Sequence, residues 1–232
     1  MRAGFFITGT DTGVGKTHTT CALLGAAAQL GYSTMGMKPV AAGFERQGDA
    51  WHNDDVEALV AASSVKADRR LINPYALRSA IAPHIAAEQQ GVALRIPPVR
   101  AAFDALAEQA DVVLVEGAGG FVVPLDATHD MADMAVALGL PVILVVGMRL
   151  GCLNHALLTA EAIRHRGLSL AGWVANDLGT DMAAFEANLT ALGQRLGGPA
   201  LATLPWHPGE PPEAASRHVA LPRWHSLLRK VS

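Results

Sequence analysis

Phe5-Phe6-Ile7-Thr8-Gly9-Thr10-Asp11-Thr12-Gly13-Val14-Gly15-Lys16-Thr17 decides the fold. A short apolar run gives way to glycine and small polar residues. Gly15-Lys16-Thr17 closes the stretch, and helix-forming residues follow from Cys21 to Leu30. Strand, glycine loop, Lys-Thr and helix is the layout of a phosphate-binding P-loop. Each part has a physical task. Glycines let the backbone wrap an anion closely. Successive N–H groups and the helix N-terminus point at phosphate oxygens. Lys16 supplies a cation for the β- and γ-phosphates, and the Thr17 hydroxyl suits Mg²⁺. The spacing is irregular. The usual pattern puts a glycine at Thr10, and here it stands one residue earlier, at Gly9. A glycine-rich turn beside a chance lysine is the plain alternative.

Outward from that loop, strand and helix patterns alternate. Ala3–Thr8 reads as a first strand, and Ser33–Val40 as a second ending in Met37-Lys38-Pro39-Val40. Residues 41–53 read as a loop. Asp54-Asp55 open a short helix over Val56–Ala62, where acids suit the helix dipole. Asn73-Pro74-Tyr75 is a turn, Pro83 starts a helix through Gln90, and Val99–Gln109 is an amphipathic helix. Asp111–Val115 and Pro141–Val146 are continuous apolar runs, as for strands buried on both faces. Helices over Asp130–Leu138, Leu153–Arg166 and Asp181–Leu196 separate further strands at Leu170–Ala175 and Ala200–Leu204. A proline-rich tail ends in a basic helix near Trp224–Lys230. This βα alternation specifies an α/β fold, a mostly parallel sheet with helices on both faces. It reads as a single P-loop NTPase-like domain over residues 1–232, with a variable tail at 207–232.

The composition agrees. The chain has 232 residues, 50% hydrophobic and only 5% aromatic, with a net charge of −3. That length buries a full core without disulfide or metal staples. No basic run marks a nucleic-acid or anionic-membrane partner. Cys21 and Cys152 stand far apart in apolar settings and read as free thiols in a reducing compartment. None of the nine histidines has zinc-ligand spacing. The first strand begins near Ala3, and the run Met134–Met148, broken by Gly139 and Pro141, falls short of the roughly 20 residues that span a bilayer. A soluble, cytoplasmic protein is expected.

In open parallel sheets, ligands sit at the carboxyl ends of strands. The chemically interesting residues all lie there. Glu116 ends an apolar strand and precedes Gly117-Ala118-Gly119-Gly120; it is an acid within reach of Mg²⁺, or a cap on the glycine turn. Asp54 and Asp55 are metal-site acids or helix caps. Lys38 is a second cation beside a transferring phosphoryl group, or a solvated lysine. The turn Met148–Asn154 leads into a helix whose free N–H groups suit a carboxylate or phosphate, or is an ordinary helix start. Asn176 reads a base edge or serves a turn. His84, His129 and His155 are read as structural.

As a set, these motifs resemble one family. Thr8–Thr12 with Val14–Thr17, Lys38-Pro39-Val40, Asn73-Pro74-Tyr75, Pro83-His84, Val115–Gly120, Pro141–Val145, Leu150–His155, Gly172–Asn176 and Pro205-Trp206 look like those of ATP-dependent dethiobiotin synthetases. The likeness runs over residues 3–206, and the long Gly9–Gly15 gap is part of it. The resemblance implies a ring-forming ligase acting on 7,8-diaminononanoate, CO₂ and Mg·ATP, through a carbamate and its mixed anhydride with phosphate. It implies Thr17, Asp55 and Glu116 at Mg²⁺, and Lys16 and Lys38 as catalytic cations. Gly13, Val14, Gly15, Lys16, Thr17 and His18 would cradle phosphates, with Gly117, Ala118 and Gly119 nearby. Asn176, Asp177, Pro205 and Trp206 would border the adenine, and Glu213 would touch the nucleotide. Thr12, Lys38, Ala42 and Gly119 would meet the substrate, whose far carboxylate would take Leu150, Gly151, Cys152 and Asn154. A homodimer with this tail-binding region at the interface is implied as well.

Two residues depart from the family pattern. Gly13 stands where relatives often carry an acid, and Ala42 where a serine is common. A different class shares the fold: switch ATPases of cell division and partition, which act through a protein or membrane partner. They carry a second lysine early in the loop, where this chain has Asp11.

Overall fold

The computed structural model describes residues 3–48 and 50–231; the side chain of Glu213, and with it the expected nucleotide contact there, lies outside the described residues. β1 (Ala3–Gly9) runs into the glycine loop, and α1 (Lys16–Gln29) begins within it. β2 (Thr34–Met37) and β3 (Val40–Ala42) flank Lys38-Pro39. β4 (Glu45–Gln47) and β5 (Ala50–His52) pair as an antiparallel hairpin. α2 (Asp54–Ala62), α3 (Arg69–Ile72), β6 (Tyr75–Leu77), α4 (Pro83–Gln90) and α5 (Ile96–Ala107) follow. The second half runs β7 (Val112–Gly120), α6 (Met131–Leu138), β8 (Val142–Met148), α7 (Cys152–His165), β9 (Leu170–Asp177), α8 (Phe185–Leu196) and β10 (Ala202–Leu204). A 3₁₀ segment, Pro212–His218, leads to α9 (Leu221–Val231).

Six strands form one parallel sheet in the order β10-β9-β8-β1-β7-β2. Parallel pairing puts all six carboxyl ends along one edge. β1 is flanked by β7 and β8, so the glycine loop opens at the middle of that edge. The period-2 alternation of β1 divides the core. Phe6 packs with Val113 and Val115 beneath α5 and α6, while Phe5 and Ile7 face α1 and α9. A third cluster joins Leu144, Val146 and Trp173 to α7 and α8.

Several boundaries differ from the sequence reading. Ser33–Val40 is not one strand. Pro39 offers no N–H, and the Lys38 N–H donates to Ile72 O at 2.8 Å instead of to β7. The chain therefore leaves the sheet after β2, and β3 pairs with β6 in a small sheet of its own. Residues 41–53 hold β3 and the β4–β5 hairpin rather than a plain loop. α8 starts at Phe185, not Asp181, since Asp181 and Ala184 take left-handed backbone angles (φ 43° and 55°). α5 starts earlier than expected because Pro97 and Pro98 fit its first turn.

The basic C-terminal helix uses its apolar face inside the protein. Trp224 packs on Phe5 with ring centroids 5.3 Å apart and donates its indole N–H to Leu23 O at 3.1 Å. Both Trp224 and Leu228 are buried. Among the described residues, no helix is long and apolar enough to cross a membrane.

Candidate active site

Five expected residues meet where β1, β2 and β7 end. Thr17 Oγ1 lies 2.8 Å from Asp55 Oδ1 and 2.8 Å from Glu116 Oε1. Lys38 Nζ donates to Asp55 Oδ2 at 2.8 Å and to Glu116 Oε1 at 2.5 Å. Lys16 Nζ donates to the Asp11 carbonyl at 3.1 Å. Each arrives by a different local route. Thr17 sits in the first turn of α1, and Lys38 sits where Pro39 breaks β2 away from the sheet. Asp55 is in the first turn of α2, and Glu116 lies in β7, opposite Ile7. Glu116 was expected to end its strand, but β7 runs on to Gly120 past a register slip between Ile7 and Gly9.

The charges here are buried and interdependent. Glu116 is wholly buried and Lys38 nearly so. Burial pushes Lys38 down, but the Glu116 and Asp55 carboxylates override it and hold Lys38 above the ordinary lysine value. Burial likewise pushes Asp55 up, and the charge and hydrogen bonds of Lys38 and Thr17 hold it below the usual carboxylate range. Burial, with the Lys38 charge beside it, pushes Lys16 down to about 8. A phosphate next to Lys16 would reverse that, because an adjacent anion favours the ammonium form.

The oxygen donors fit a hard divalent cation. The Thr17 hydroxyl carries one proton, yet two carboxylate oxygens lie within hydrogen-bond reach of its oxygen. Glu116 Oε2 is buried without a hydrogen-bond partner among the described residues. A hydroxyl, two carboxylates and an orphaned lone pair are the donor chemistry that Mg²⁺ takes beside nucleotide phosphates.

Beside this cluster lies a cavity of about 500 Å³. Lys38, Asp55 and Thr12 form its polar end. Val40, Ala42, Ala80, Ile81, Ala118 and Val123 supply apolar walls. Gly119 lines it too, as expected. The expected tail-binding residues do not. Leu150, Gly151, Cys152 and Asn154 are absent from its lining, and Leu150 is 96% exposed at the turn before α7. Arg149, in the same turn, pairs instead with Asp11 Oδ2 at 2.7 Å.

On the other side of the glycine loop, Asn176 has a role the sequence did not suggest. Its amide N–H donates to Val14 O at 3.0 Å and so clamps the loop from β9. Gly15 makes this possible. Its φ is 84°, and an added Cβ would lie 2.2 Å from Asn176 Nδ2. Asp177 Oδ1 accepts the Gly179 N–H at 2.9 Å. Gly179 in turn leaves room for the Trp206 ring, which an added Cβ would meet at 2.7 Å. Trp206 keeps 54% of its surface exposed beyond Pro205, on the side expected for a base. His18 is half-buried, and burial pushes its imidazole pKa down despite the nearby Glu210 carboxylate. Gly117 faces the core rather than the loop, against Phe6 and Met131. A Gly13 side chain would meet nothing within 4 Å, so no neighbour fills the place of the relatives' acid.

Sequence reasoning missed Asn53, the N-cap of α2, and read Asn73 only as part of a turn, whereas its Nδ2 donates to Lys38 O at 2.6 Å. An asparagine just before Asp54-Asp55 is a helix-start signal that would have found the first. The cavity wall Ala80-Ile81-Ala82 carries no such signal.

Comparison with known proteins agrees with the geometry. The family model described as AAA domain matches residues 3–213. The ATP-dependent dethiobiotin synthetase of Xanthomonas campestris pv. campestris is 49% identical over 94% of this chain and 98% of its own length. That of Aromatoleum aromaticum is 52% identical over 94% and 97%, respectively. That of Nitrosospira multiformis is 55% identical over 89% of each chain. Among solved structures, the cell division ATPase MinD of Pyrococcus furiosus superposes with a TM-score of 0.58 over the full length of both chains, at 17% identity. A ParA family ATPase of Chlorobium tepidum gives 0.55 at 14% identity, over 100% of this chain and 97% of its own. Those two likenesses are of fold alone. With about half its residues shared over nearly the full length of the enzymes above, this chain belongs to the ATP-dependent dethiobiotin synthetase family.

Proposed function

We propose that this ATP-dependent ligase of biotin biosynthesis closes the ureido ring of dethiobiotin from 7,8-diaminononanoate, CO₂ and ATP. The observation that carries the reading is Lys38. Its ammonium stands between the apolar cavity and the Thr17–Asp55–Glu116 cluster, where two anions must meet. The cavity suits an aliphatic diamine. One free amine adds to CO₂ and loses a proton, giving a carbamate. A carbamate oxygen attacks the γ-phosphorus, and the bond to ADP breaks. The second amine then attacks the carbamoyl carbon, phosphate leaves, and a proton is released as the ring closes.

The chain's residues make this feasible electrostatically. Carbamate and γ-phosphate repel, and Lys38 and Lys16 offset that repulsion in a buried setting where charge interactions are strong. Bound at Thr17, Asp55 and Glu116, Mg²⁺ would supply further positive charge to the β- and γ-phosphates. The backbone of residues 13–17 and His18 cradles the phosphates, with Trp206 beside the base. Leu150, Gly151, Cys152 and Asn154 would meet the substrate carboxylate from a partner subunit of a homodimer. The exposure of Leu150, Gly151 and Asn154, and the absence of all four from this chain's own cavity, favour that arrangement. A cytoplasmic location fits such an enzyme.

The switch-ATPase alternative has little to support it. Asp11, in place of the second lysine, is paired with Arg149, and the apolar face of α9 is buried. The test is direct. Purified protein with ATP, Mg²⁺, bicarbonate and 7,8-diaminononanoate is expected to yield dethiobiotin, detected by mass. Absence of product, with ATP hydrolysis stimulated instead by a protein or membrane partner, would favour the switch.

A further inference from the structure

Asn53 is a buried polar residue with every side-chain group in use. It follows the β4–β5 hairpin and caps α2 with extended backbone, φ −144° and ψ 122°. Its Oδ1 accepts the Val56 N–H at 3.2 Å. Its Nδ2 donates to Ala42 O at 3.0 Å and, more weakly, to Gly43 O at 3.4 Å. Ala42 is a wall of the cavity, and Asp55 lies two residues beyond Asn53. One amide therefore ties the cavity wall to the helical turn that presents the Asp55 carboxylate. Ala41 and Val56 pack together beneath the same junction.

Capping alone does not ask for this residue. Serine, threonine and aspartate cap helices about as well through an acceptor oxygen. The Nδ2 donor is the part that capping leaves unexplained, and it is the part that reaches the site. We infer that Asn53 is a positioning residue: its bridge to Ala42 O holds Asp55 in place for a divalent cation beside the nucleotide phosphates. The inference rests on the proposed function of the site. Partners that orient a metal-binding carboxylate act through small displacements, and their loss costs about 10–100-fold in metal affinity.

The test separates the cap from the bridge. Asn53→Asp keeps an acceptor for the Val56 N–H and has no donor for Ala42 O, and Asn53→Ser keeps the acceptor while a shorter hydroxyl replaces the Nδ2 that reaches Ala42 O. Both variants, with Asn53→Ala, are compared with the wild-type protein by thermal unfolding. The Mg²⁺ dependence of binding a non-hydrolysable ATP analogue is measured alongside, with no diamine present. The expected result is that Asn53→Ser unfolds within a few degrees of wild type. Its Mg²⁺ requirement should nevertheless rise about tenfold, with unchanged analogue affinity at saturating Mg²⁺. In turnover assays, kcat at subsaturating Mg²⁺ falls while KM for ATP at saturating Mg²⁺ is kept. Asn53→Ala loses the cap as well and unfolds at lower temperature than either. A wild-type Mg²⁺ requirement in Asn53→Ser overturns the inference, and so does a loss of binding that merely tracks the loss of thermal stability across the three variants. Failure of the wild-type protein to form dethiobiotin would instead count against the proposed reaction, and the analogue-binding comparison is read independently of it.

Discussion

Lys38→Met is expected to lower kcat by about three orders of magnitude and to destabilise the ligand-free protein by about 3 kcal/mol. The two losses have one cause. Lys38 Nζ neutralises Glu116, which is wholly buried, and Asp55 at its side. A methionine fills a similar volume and leaves two carboxylates facing each other without their hydrogen-bonded cation. Breaking a buried pair costs more than the pair itself contributes, since one charge stays behind unpaired. In turnover, the same ammonium is the one placed to offset carbamate and phosphate repulsion. Chemical denaturation without ligands measures the first effect, and steady-state kinetics the second. Adding Glu116→Gln to the variant should restore stability while leaving turnover absent. A Lys38→Met protein of wild-type stability would mean that the pair is not formed in solution.

The pH dependence follows from the directions of the shifts. Lys38 is raised, so its stabilisation is complete below the ordinary lysine pKa and lost only above it. Asp55 is lowered, so its share is complete above the ordinary aspartate pKa and lost in stronger acid. These two groups therefore leave stability flat through neutral pH. Lys16 runs the other way: its value of about 8 lies below the ordinary one, so the cost of its burial is full below about 8 and falls as pH rises from there to the ordinary lysine value.

Gly15→Ala should weaken nucleotide binding by about 100-fold or more. It meets two separate obstacles. The backbone at Gly15 is left-handed, φ 84°, which costs a non-glycine residue about 1–2 kcal/mol. The new methyl would also lie 2.2 Å from Asn176 Nδ2, forcing Asn176 off the Val14 carbonyl. Adding Asn176→Ala removes the second obstacle and leaves the first. Calorimetric titration of ATP analogues into the single and double variants tests this. The double variant should recover stability in part and affinity hardly at all, because the clamp on the loop is gone in both. Wild-type affinity in Gly15→Ala would mean that the loop does not hold phosphate through the backbone at this point.

The glycine loop, the buried strands and the acids and lysines at their ends were legible in the sequence because each depends on local chemistry. Continuous apolar runs specify strands covered on both faces, and Gly15-Lys16-Thr17 followed by helix formers specifies an anion-binding helix start. Residues 40–53 were not legible. Three-residue strands carry too few side chains for a period to emerge, and their pairing depends on partners such as β6, far along the chain. The apolar wall at Ala80-Ile81-Ala82 is featureless in sequence and acquires meaning only from facing Lys38. Asn176 was legible as a site residue but not in its role, since nothing near it in sequence points to Val14. The turn Met148–Asn154 was read as leading into a helix, as α7 shows, and only the structure separates it from the cavity of its own chain.

The proposed reaction turns on a carbamate oxygen attacking the γ-phosphorus beside Lys38. Turnover with ¹⁸O-labelled bicarbonate, unlabelled ATP and the diamine, followed by mass analysis of the released phosphate, tests that step most directly. One ¹⁸O is expected in each phosphate formed with dethiobiotin. Phosphate carrying oxygen from solvent water instead would contradict it.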